Sequence, residues 1–184
     1  MKPLLRAYCL RCCLLCCLLI PSITAPAMAA PADAALTREV NAFVDGWHDD
    51  AAHARMRYFD KMAPDGVFIG TDRSELWRRD AFLAWGRKYF EGRPKAWAYR
   101  ATRRNVHASN DGKTVWFDEL LDNDKGAHFM ASGVLTRTAA GWLVEHYQLS
   151  VAVPNEVEPQ VIELARAAES KKAAKGPSRV DSAR

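Results

Sequence analysis

Hydrophobic residues recur at helical spacing in the first part of the chain and alternate as in β-strands from about Ala96 onward. A first helix is predicted to begin near Thr37 and to be interrupted at His48–Asp50. Its hydrophobic positions share one helix face: Leu36, Val40, Phe43, Val44 and Trp47. A second helix is predicted over residues 51–62. These patterns place two helices ahead of the first strand.

The residues that follow are predicted to form a turn, a short strand and a third helix. Pro64–Gly66 has the composition of a turn, and Val67–Ile69 is a short apolar run typical of a buried strand. Asp72 stands three residues before Glu75, which is the spacing of a capping box and predicts the start of a helix. The predicted helix carries an aromatic face with residues four apart: Trp77, Ala81, Trp85 and Tyr89.

Four long strands are predicted in the second half of the chain, because alternating segments are separated by turn motifs. The segments cover residues 97–109, 113–122, 127–137 and 142–153. A short helix is predicted after them. Helices that precede an antiparallel sheet indicate an α+β domain. A curved antiparallel sheet of this kind is expected to wrap around the N-terminal helices as a cone with an internal cavity.

The first 29 residues have the pattern of a secretory signal peptide. Lys2, Arg6 and Arg11 accompany a short apolar run at Leu14–Ile20, which is followed by small residues. Cleavage is predicted after Ala29, which predicts a periplasmic or secreted protein without membrane contact after cleavage. A retained N-terminal anchor is the alternative, although the apolar run is too short to span a bilayer.

The rest of the chain divides into four predicted segments. They are a linker (30–35), a folded domain (36–155), a C-terminal helix (156–170) and a disordered basic tail (171–184). The signal and the tail together hold eight of the 26 Lys and Arg residues but one of the 22 Asp and Glu residues. The part between them is therefore net negative, and the basic overall balance does not indicate a nucleic-acid partner.

The positions of the cysteines and the spacing of the histidines argue against thiol chemistry and against a metal site. All five cysteines lie within the predicted signal, so the exported protein would have neither disulfides nor thiol chemistry. The five histidines form no pair with metal-ligand spacing. No metal and no other cofactor is therefore predicted.

Four stretches, taken in order and spacing, resemble the SnoaL-like domains of the nuclear transport factor 2-like superfamily, in an exported bacterial form. They are Tyr58–Asp72, Trp97–Val106, Thr114–Asp122 and Ala131–Asn155. The resemblance implies a cavity between sheet and helices, often in a homodimer. It implies no single function, because the superfamily includes isomerases, polyketide cyclases, dehydratases and members that only bind or assemble. No short catalytic motif is shared, so no catalytic residue is carried over.

The strand over residues 113–122 carries the candidate general bases, Asp118 and Glu119. Side chains alternate along a strand, so Asp118 shares a face with Trp116 while Glu119 shares the other with Phe117. One carboxylate would therefore lie beside aromatic residues in the cavity, where desolvation would raise its pKa and suit it to proton abstraction. The alternative is an ion pair with an arginine of residues 100–104.

Two histidines are candidates to assist such a base. His146 shares a predicted face of the last strand with Gln148 and Ser150, and these three would form a polar stripe able to bind a ligand. The alternative is a hydrogen-bonded core histidine. His107 would meet His128 across the sheet in one strand register only.

The predicted pocket wall is mainly aromatic, which suits flat or hydrophobic ligands. Its residues are Tyr58, Trp77, Trp85, Tyr89, Trp116, His128, Gln148 and Ser150. Ordinary core packing is the alternative. Residues 73–104 contain ten Lys or Arg and three acids, which could bind an anion or form a solvated surface.

The function predicted from these features is binding of a small hydrophobic or aromatic molecule in the cavity of a homodimeric domain, with cofactor-free acid/base activity of the isomerase, cyclase or dehydratase type as a possible addition. The alternative is a non-catalytic dimeric module for binding or assembly. Both faces of the last strand contain large apolar residues, and this is the observation that favours a dimer.

Overall fold

The computed structural model describes residues 30–174 of the chain. The strands are β1 (Ala30–Pro31), β2 (Met62–Ile69), β3 (Leu76–Arg78), β4 (Tyr99–Ala108), β5 (Thr114–Asn123), β6 (His128–Thr138) and β7 (Gly141–Val151). The helices are α1 (Ala34–Ala52), α2 (Arg57–Asp60), α3 (Arg79–Phe90) and α4 (Glu158–Ala174), with a 3₁₀ turn at Asn155–Val157 before α4.

Within the described residues the seven strands form one sheet in the order β1-β4-β5-β6-β7-β2-β3. Strands β4 to β7 form the predicted antiparallel meander, while β2 runs parallel to β7. The sheet is curved and unclosed, and it wraps around α1 and α3, which pack on β4 and β2 respectively. The predicted α+β class and cone-shaped architecture are therefore confirmed.

Helix α1 runs unbroken through residues 48–50, where the sequence predicts an interruption. It begins with the backbone N–H of Leu36 donating to the Asp33 carboxylate at 2.7 Å. Asp50 is completely buried and its carboxylate pairs with three cations that follow α1: Arg55, Arg57 and Lys61. Burial raises the pKa of Asp50, but hydrogen bonds from these cations outweigh it and lower the pKa. His48 and Asp50 therefore belong to the buried helix face, whereas Asp49 between them is exposed.

The second predicted helix is mostly wrong, because α2 is a single turn and Met62 already opens β2. Pro64–Gly66 lies inside β2 instead of forming a separate turn. Met62 is opposite Val144 and Val67 is opposite His146, so β2 bulges between these two pairings. A Cβ atom at Gly66 would lie 2.8 Å from the Val144 carbonyl oxygen, which explains the glycine.

Helix α3 begins at Arg79, not near Asp72. Asp72 and Glu75 organise a loop: the Ser74 N–H donates to the Asp72 carboxylate at 2.8 Å, and the Asp72 N–H donates to Glu75 at 3.2 Å. Trp77 therefore lies on β3, opposite Phe68, and not on the helix. Its spacing of four from Ala81 is a coincidence across the strand–helix junction.

The two ends of the described chain differ from expectation. Ala30 is opposite Ala108 in a short pairing of β1 with β4, where a linker is predicted. Helix α4 continues to Ala174, four residues into the predicted tail, and has no buried residue. The predicted signal and the rest of the tail lie outside the described residues. No helix within residues 30–174 is long and apolar enough to cross a membrane.

Candidate functional site: an aromatic pocket at the open end of the cone

The inside of the cone is filled by aromatic side chains. Trp47 stacks on Tyr58 with ring centroids 4.7 Å apart and meets Tyr147 edge-on at 4.8 Å. The Trp47 indole N–H donates to the Tyr58 carbonyl oxygen at 2.9 Å. The other rings packed around them are Phe59, Phe68, Phe82, Phe90 and Phe117. Tyr58, a predicted pocket residue, is therefore a core residue with 2 % exposure, packed among other rings and not lining an open pocket wall.

One carboxylate, Glu119, lies inside this packed interior. Its Oε1 accepts hydrogen bonds from the Tyr147 hydroxyl at 2.8 Å and lies 2.9 Å from the His48 Nε2. Its Oε2 accepts from Arg104 Nε at 2.8 Å and lies 2.7 Å from a second guanidinium nitrogen. The four side chains come from β5, β7, α1 and β4, so the network ties the first helix to the sheet. The side chain of Glu119 has no exposed surface.

The protonation of this network does not suit a general base. Burial raises the pKa of Glu119, but the hydrogen bonds and charges of His48 and Arg104 prevail and lower it. Burial, together with the neighbouring Glu119 anion, raises the pKa of Tyr147 well above its usual value. The predicted rise in the pKa of Glu119 is therefore wrong. The alternative, an ion pair with an arginine of residues 100–104, is present, and the arginine is Arg104. Removing one partner of a sealed, charge-paired network of this kind would leave an uncompensated buried charge, so we assign Glu119 a structural role.

Asp118 and its predicted neighbours lie on the outer face of the sheet. The exposed Asp118 carboxylate accepts a hydrogen bond from the Asn105 amide at 2.7 Å. The His107 ring stacks on Trp116, with centroids 6.0 Å apart. These three predicted site residues (Asp118, His107 and Trp116) are separated from Glu119 by the thickness of the sheet, so the two carboxylates do not form a pair.

The predicted polar stripe of the last strand, His146, Gln148 and Ser150, also lies on the outer face. Trp142 and Val144, which were predicted to share that face, lie on the inner face instead. Val134 is opposite His146 and Leu135 is opposite Val144, so Glu145 is an extra residue in β7. The bulge reverses the alternation: Trp142 and Val144 point inward before it, and Tyr147 and Leu149 point inward after it. His146, Gln148 and Ser150 therefore point away from the interior.

His107 and His128 do not meet, because they lie beside opposite ends of β5. His107 is opposite Trp116, whereas His128 is opposite Asp122 and contacts its carboxylate at 2.7 Å. In the described part of the chain, no group of three or more His, Cys, Asp or Glu side chains could hold a metal ion.

An aromatic pocket opens where β4 begins and β7 ends. We call it the mouth pocket. Its volume is about 170 Å³, and its lining residues are Phe68, Gly70, Thr71, Glu75, Trp85, Trp97, Tyr99 and Leu149. Trp85 and Trp97 form its flat walls, with ring centroids 6.2 Å apart. Trp77 supports the wall from behind, 5.4 Å from Trp85.

Three polar side chains line the otherwise apolar mouth pocket. They are Glu75, Tyr99 and, at the exposed rim, Thr71. Burial, and to a lesser degree the charge of Glu75, raises the pKa of Tyr99, so its hydroxyl stays protonated and can donate a hydrogen bond. The pocket therefore offers an acceptor and a donor between aromatic walls.

Sequence reasoning named Trp85 for this pocket but missed Trp97, Tyr99, Phe68 and Glu75. A signal for the first two was present, because Trp97 and Tyr99 alternate at the start of a long strand and so share one face. Nothing in the sequence indicated that Glu75 would face the same pocket, since the expected capping box assigned it to a helix start.

A shallower depression adjoins the mouth pocket through Trp97. Its volume is about 510 Å³, and it is lined by Lys88, Tyr89, Arg93, Lys95, Ala96 and Trp97. Tyr89, a predicted wall residue, lies here, with 41 % of its surface exposed. We call this depression the basic groove.

The curved sheet wrapped around α1 and α3 is the cone-shaped fold of nuclear transport factor 2-like proteins. Solved structures with this fold align with most of the chain. A protein of unknown function with this fold from Pseudomonas putida KT2440 aligns over 70% of this chain and 94% of its own, with a TM-score of 0.57 and 14% identity. A cystatin-like fold protein from Burkholderia xenovorans LB400 aligns over 68% and 99%, with a TM-score of 0.53 and 17% identity. These identities show the fold alone.

A third structure, from Catenulispora acidiphila in complex with S-DNPA, aligns over 65% of this chain and 95% of its own, with a TM-score of 0.52 and 22% identity. No curated protein matches the chain. The family model of the SnoaL-like domain matches residues 40–154. The chain therefore belongs to the family of SnoaL-like domains.

Proposed function

We propose that the domain binds a small hydrophobic or aromatic organic molecule in the mouth pocket. The observation that carries this proposal is the pair of flat indole walls, Trp85 and Trp97, beside an open volume at the edge of the packed aromatic core. Aromatic walls with a few polar groups are typical of sites for small organic ligands. Membership of the SnoaL-like family supports a ligand-binding role.

Acid/base turnover is the weaker part of the proposal. Glu119 is sealed in the core with its charge paired, and Asp118 lies on the opposite face of the sheet. The carboxylate that a ligand in the mouth pocket can reach is Glu75, with the Tyr99 hydroxyl as a donor beside it. If the domain catalyses proton transfer, these two groups are its candidates.

Filling the mouth pocket tests the proposal. Thr71 is exposed at the pocket rim, so Thr71→Trp is expected to block entry without disturbing the core. Fluorescence titration with N-phenyl-1-naphthylamine, a neutral aromatic probe, should show saturable binding to the wild type and an affinity reduced about tenfold or more in the variant.

The matched control is Ala139→Trp, which adds the same side chain to the exposed turn at the far end of the sheet. It should leave the affinity for the probe unchanged. Equal affinities in the wild type and Thr71→Trp would exclude the mouth pocket as the binding site.

A second candidate role, dimeric assembly, is favoured by the outer face of the sheet. Met130 is 54 % exposed there and lies opposite Leu120, while Trp116 lies opposite Val134. A row of polar residues separates these apolar pairs: Asn105, Asp118, Ser132 and Gln148. Apolar patches mixed with polar groups are typical of interfaces between identical subunits. We propose that two copies associate through this face.

Sedimentation of the domain at micromolar concentration should therefore give a dimer, and Met130→Glu should give a monomer, since it places a charge on each copy within the proposed interface. Ala139→Glu, in an exposed turn outside this face, is the control and should remain dimeric. A monomeric wild type would exclude the proposed association.

Export is also part of the proposed function. It is supported by the basic start, the short apolar run and the small residues of the first 29 positions. Binding would then take place in the periplasm or outside the cell, where the absence of cysteine beyond Cys17 leaves no thiol to oxidise.

A further inference from the structure

The basic groove and the mouth pocket share the Trp97 side chain, which lines both. By itself the mouth pocket, at about 170 Å³, is smaller than most sites for organic ligands. A ligand of ordinary size would therefore extend beyond the mouth pocket, and the basic groove adjoins it through Trp97. The chemistry of the groove then bears on the chemistry of the ligand.

The basic groove carries cations but no carboxylate among its lining residues. The Lys88 ammonium lies 4.9 Å from the Tyr89 ring centroid and 5.9 Å from that of Trp85, which holds it over the aromatic surface. Lys95 pairs with Asp124 at 3.2 Å. No carboxylate within residues 30–174 forms an ion pair with Lys88 or Arg93, so these two cations have charge available for a ligand.

The inner end of the combined site has the opposite charge. Glu75 lines the mouth pocket and raises the electrostatic cost of placing an anion there. An anionic group is therefore repelled from the inner end and attracted to the outer end of the same cleft. The charges thus define an orientation as well as a ligand class.

Resting on the proposed function, we infer that the ligand is an aromatic or hydrophobic anion. Its ring system lies against Trp85 and Trp97, and its negative group lies in the basic groove against Lys88 and Arg93. Arginine suits this position because its planar guanidinium forms two parallel hydrogen bonds to a carboxylate, sulfonate or phosphate group. The site would therefore prefer an aromatic acid over its neutral analogue.

A pair of probes with the same ring skeleton tests the inference. 1-Anilinonaphthalene-8-sulfonate carries a sulfonate that N-phenyl-1-naphthylamine lacks. At low salt the wild type should bind the anionic probe about tenfold more tightly than the neutral one. Added sodium chloride should lower the affinity for the anionic probe and leave the affinity for the neutral probe unchanged. In the double variant Lys88→Gln/Arg93→Gln, the affinity for the sulfonate probe should fall about tenfold, and the affinity for the neutral probe should fall less than about twofold.

Lys113→Gln is the control, because Lys113 is an exposed cation in the β4–β5 turn at the other end of the sheet. The control should leave the affinities for both probes unchanged. If it lowered the affinity for the sulfonate probe as much as the double variant does, the inference would be overturned, because the loss would then come from net charge. Equal binding of the two probes by the wild type, or equal losses for both in the double variant, would also overturn the inference while leaving the proposed function intact. If neither probe bound at all, both the inference and the proposed function would be excluded.

Discussion

Glu119→Gln is expected to lower the free energy of unfolding by about 3–5 kcal/mol. The substitution keeps the size of the side chain but removes the charge that Arg104 and His48 surround in the interior. Arg104 would retain one acidic partner, the exposed Asp45, at 2.9 Å. A buried guanidinium left with a solvent-exposed partner in place of the buried one is the main reason for the large cost. Urea denaturation of the two proteins at pH 7 measures it.

Asp118→Asn is the matched control, because it removes a charge from the neighbouring residue of the same strand. Asp118 is exposed and bonded to the Asn105 amide, so the change should cost less than about 1 kcal/mol. Similar losses in the two variants would contradict the assignment of Glu119 to a sealed structural network.

The cost of Glu119→Gln should also depend on pH. The pKa of Glu119 is lowered in the folded protein, so the unfolded chain binds more protons between the two pKa values. The stabilisation is fully present above the unfolded pKa, about 4.3, and is lost as the pH falls through the folded value. The difference between wild type and variant should therefore shrink below about pH 4. A difference that grows on acidification would mean that the pKa is raised.

Phe59→Ala is expected to lower the free energy of unfolding by about 3–5 kcal/mol, because it leaves a cavity in a close-packed interior. Phe59 is 1 % exposed, and its ring packs 4.8 Å from that of Phe90 and 5.3 Å from that of Phe82. A Cβ atom at Gly86 would lie 2.6 Å from the Phe59 ring, so the helix and the ring already touch. Urea denaturation measures the loss.

Tyr89→Ala on α3 removes an aromatic ring of similar size from the surface and should cost about 1 kcal/mol. The 41 % exposure of Tyr89 is the reason for the smaller value. If Phe59→Ala were no more destabilising than Tyr89→Ala, the interior could not be as tightly filled as the ring contacts indicate, and an internal ligand cavity would have to be considered again.

The sheet was predictable from the sequence because its signals are local. Alternation and turn motifs predicted all four strands of the meander, since Asn110–Gly112 has the composition of a tight turn and Ala139–Gly141 separates two alternating runs. The parallel pairing of β2 with β7 was not visible, because it joins segments far apart in sequence. The same holds for the pairing of Ala30 with Ala108.

The site was less predictable because it depends on buried charge and on strand irregularities. Polar residues at 48, 50 and 119 indicate surface or catalysis when read singly, whereas here all three are buried and paired. His48 and Glu119 pair across 71 residues, and Asp50 pairs with cations just beyond its own helix. The extra residue Glu145 reverses the faces of β7, and no local signal announces it. Trp77 was misplaced for a similar reason. It lies four residues before Ala81, as a residue on the same helix face would, but it belongs to the strand that precedes the helix.

A crystal structure with bound N-phenyl-1-naphthylamine tests the proposed binding site most directly. The naphthalene ring is predicted to lie against Trp85 and Trp97, with Tyr99 beside it and the interior around Glu119 unchanged. A probe bound inside the cone next to Glu119, or on the outer face beside Trp116, would contradict the assignment of the mouth pocket as the ligand site.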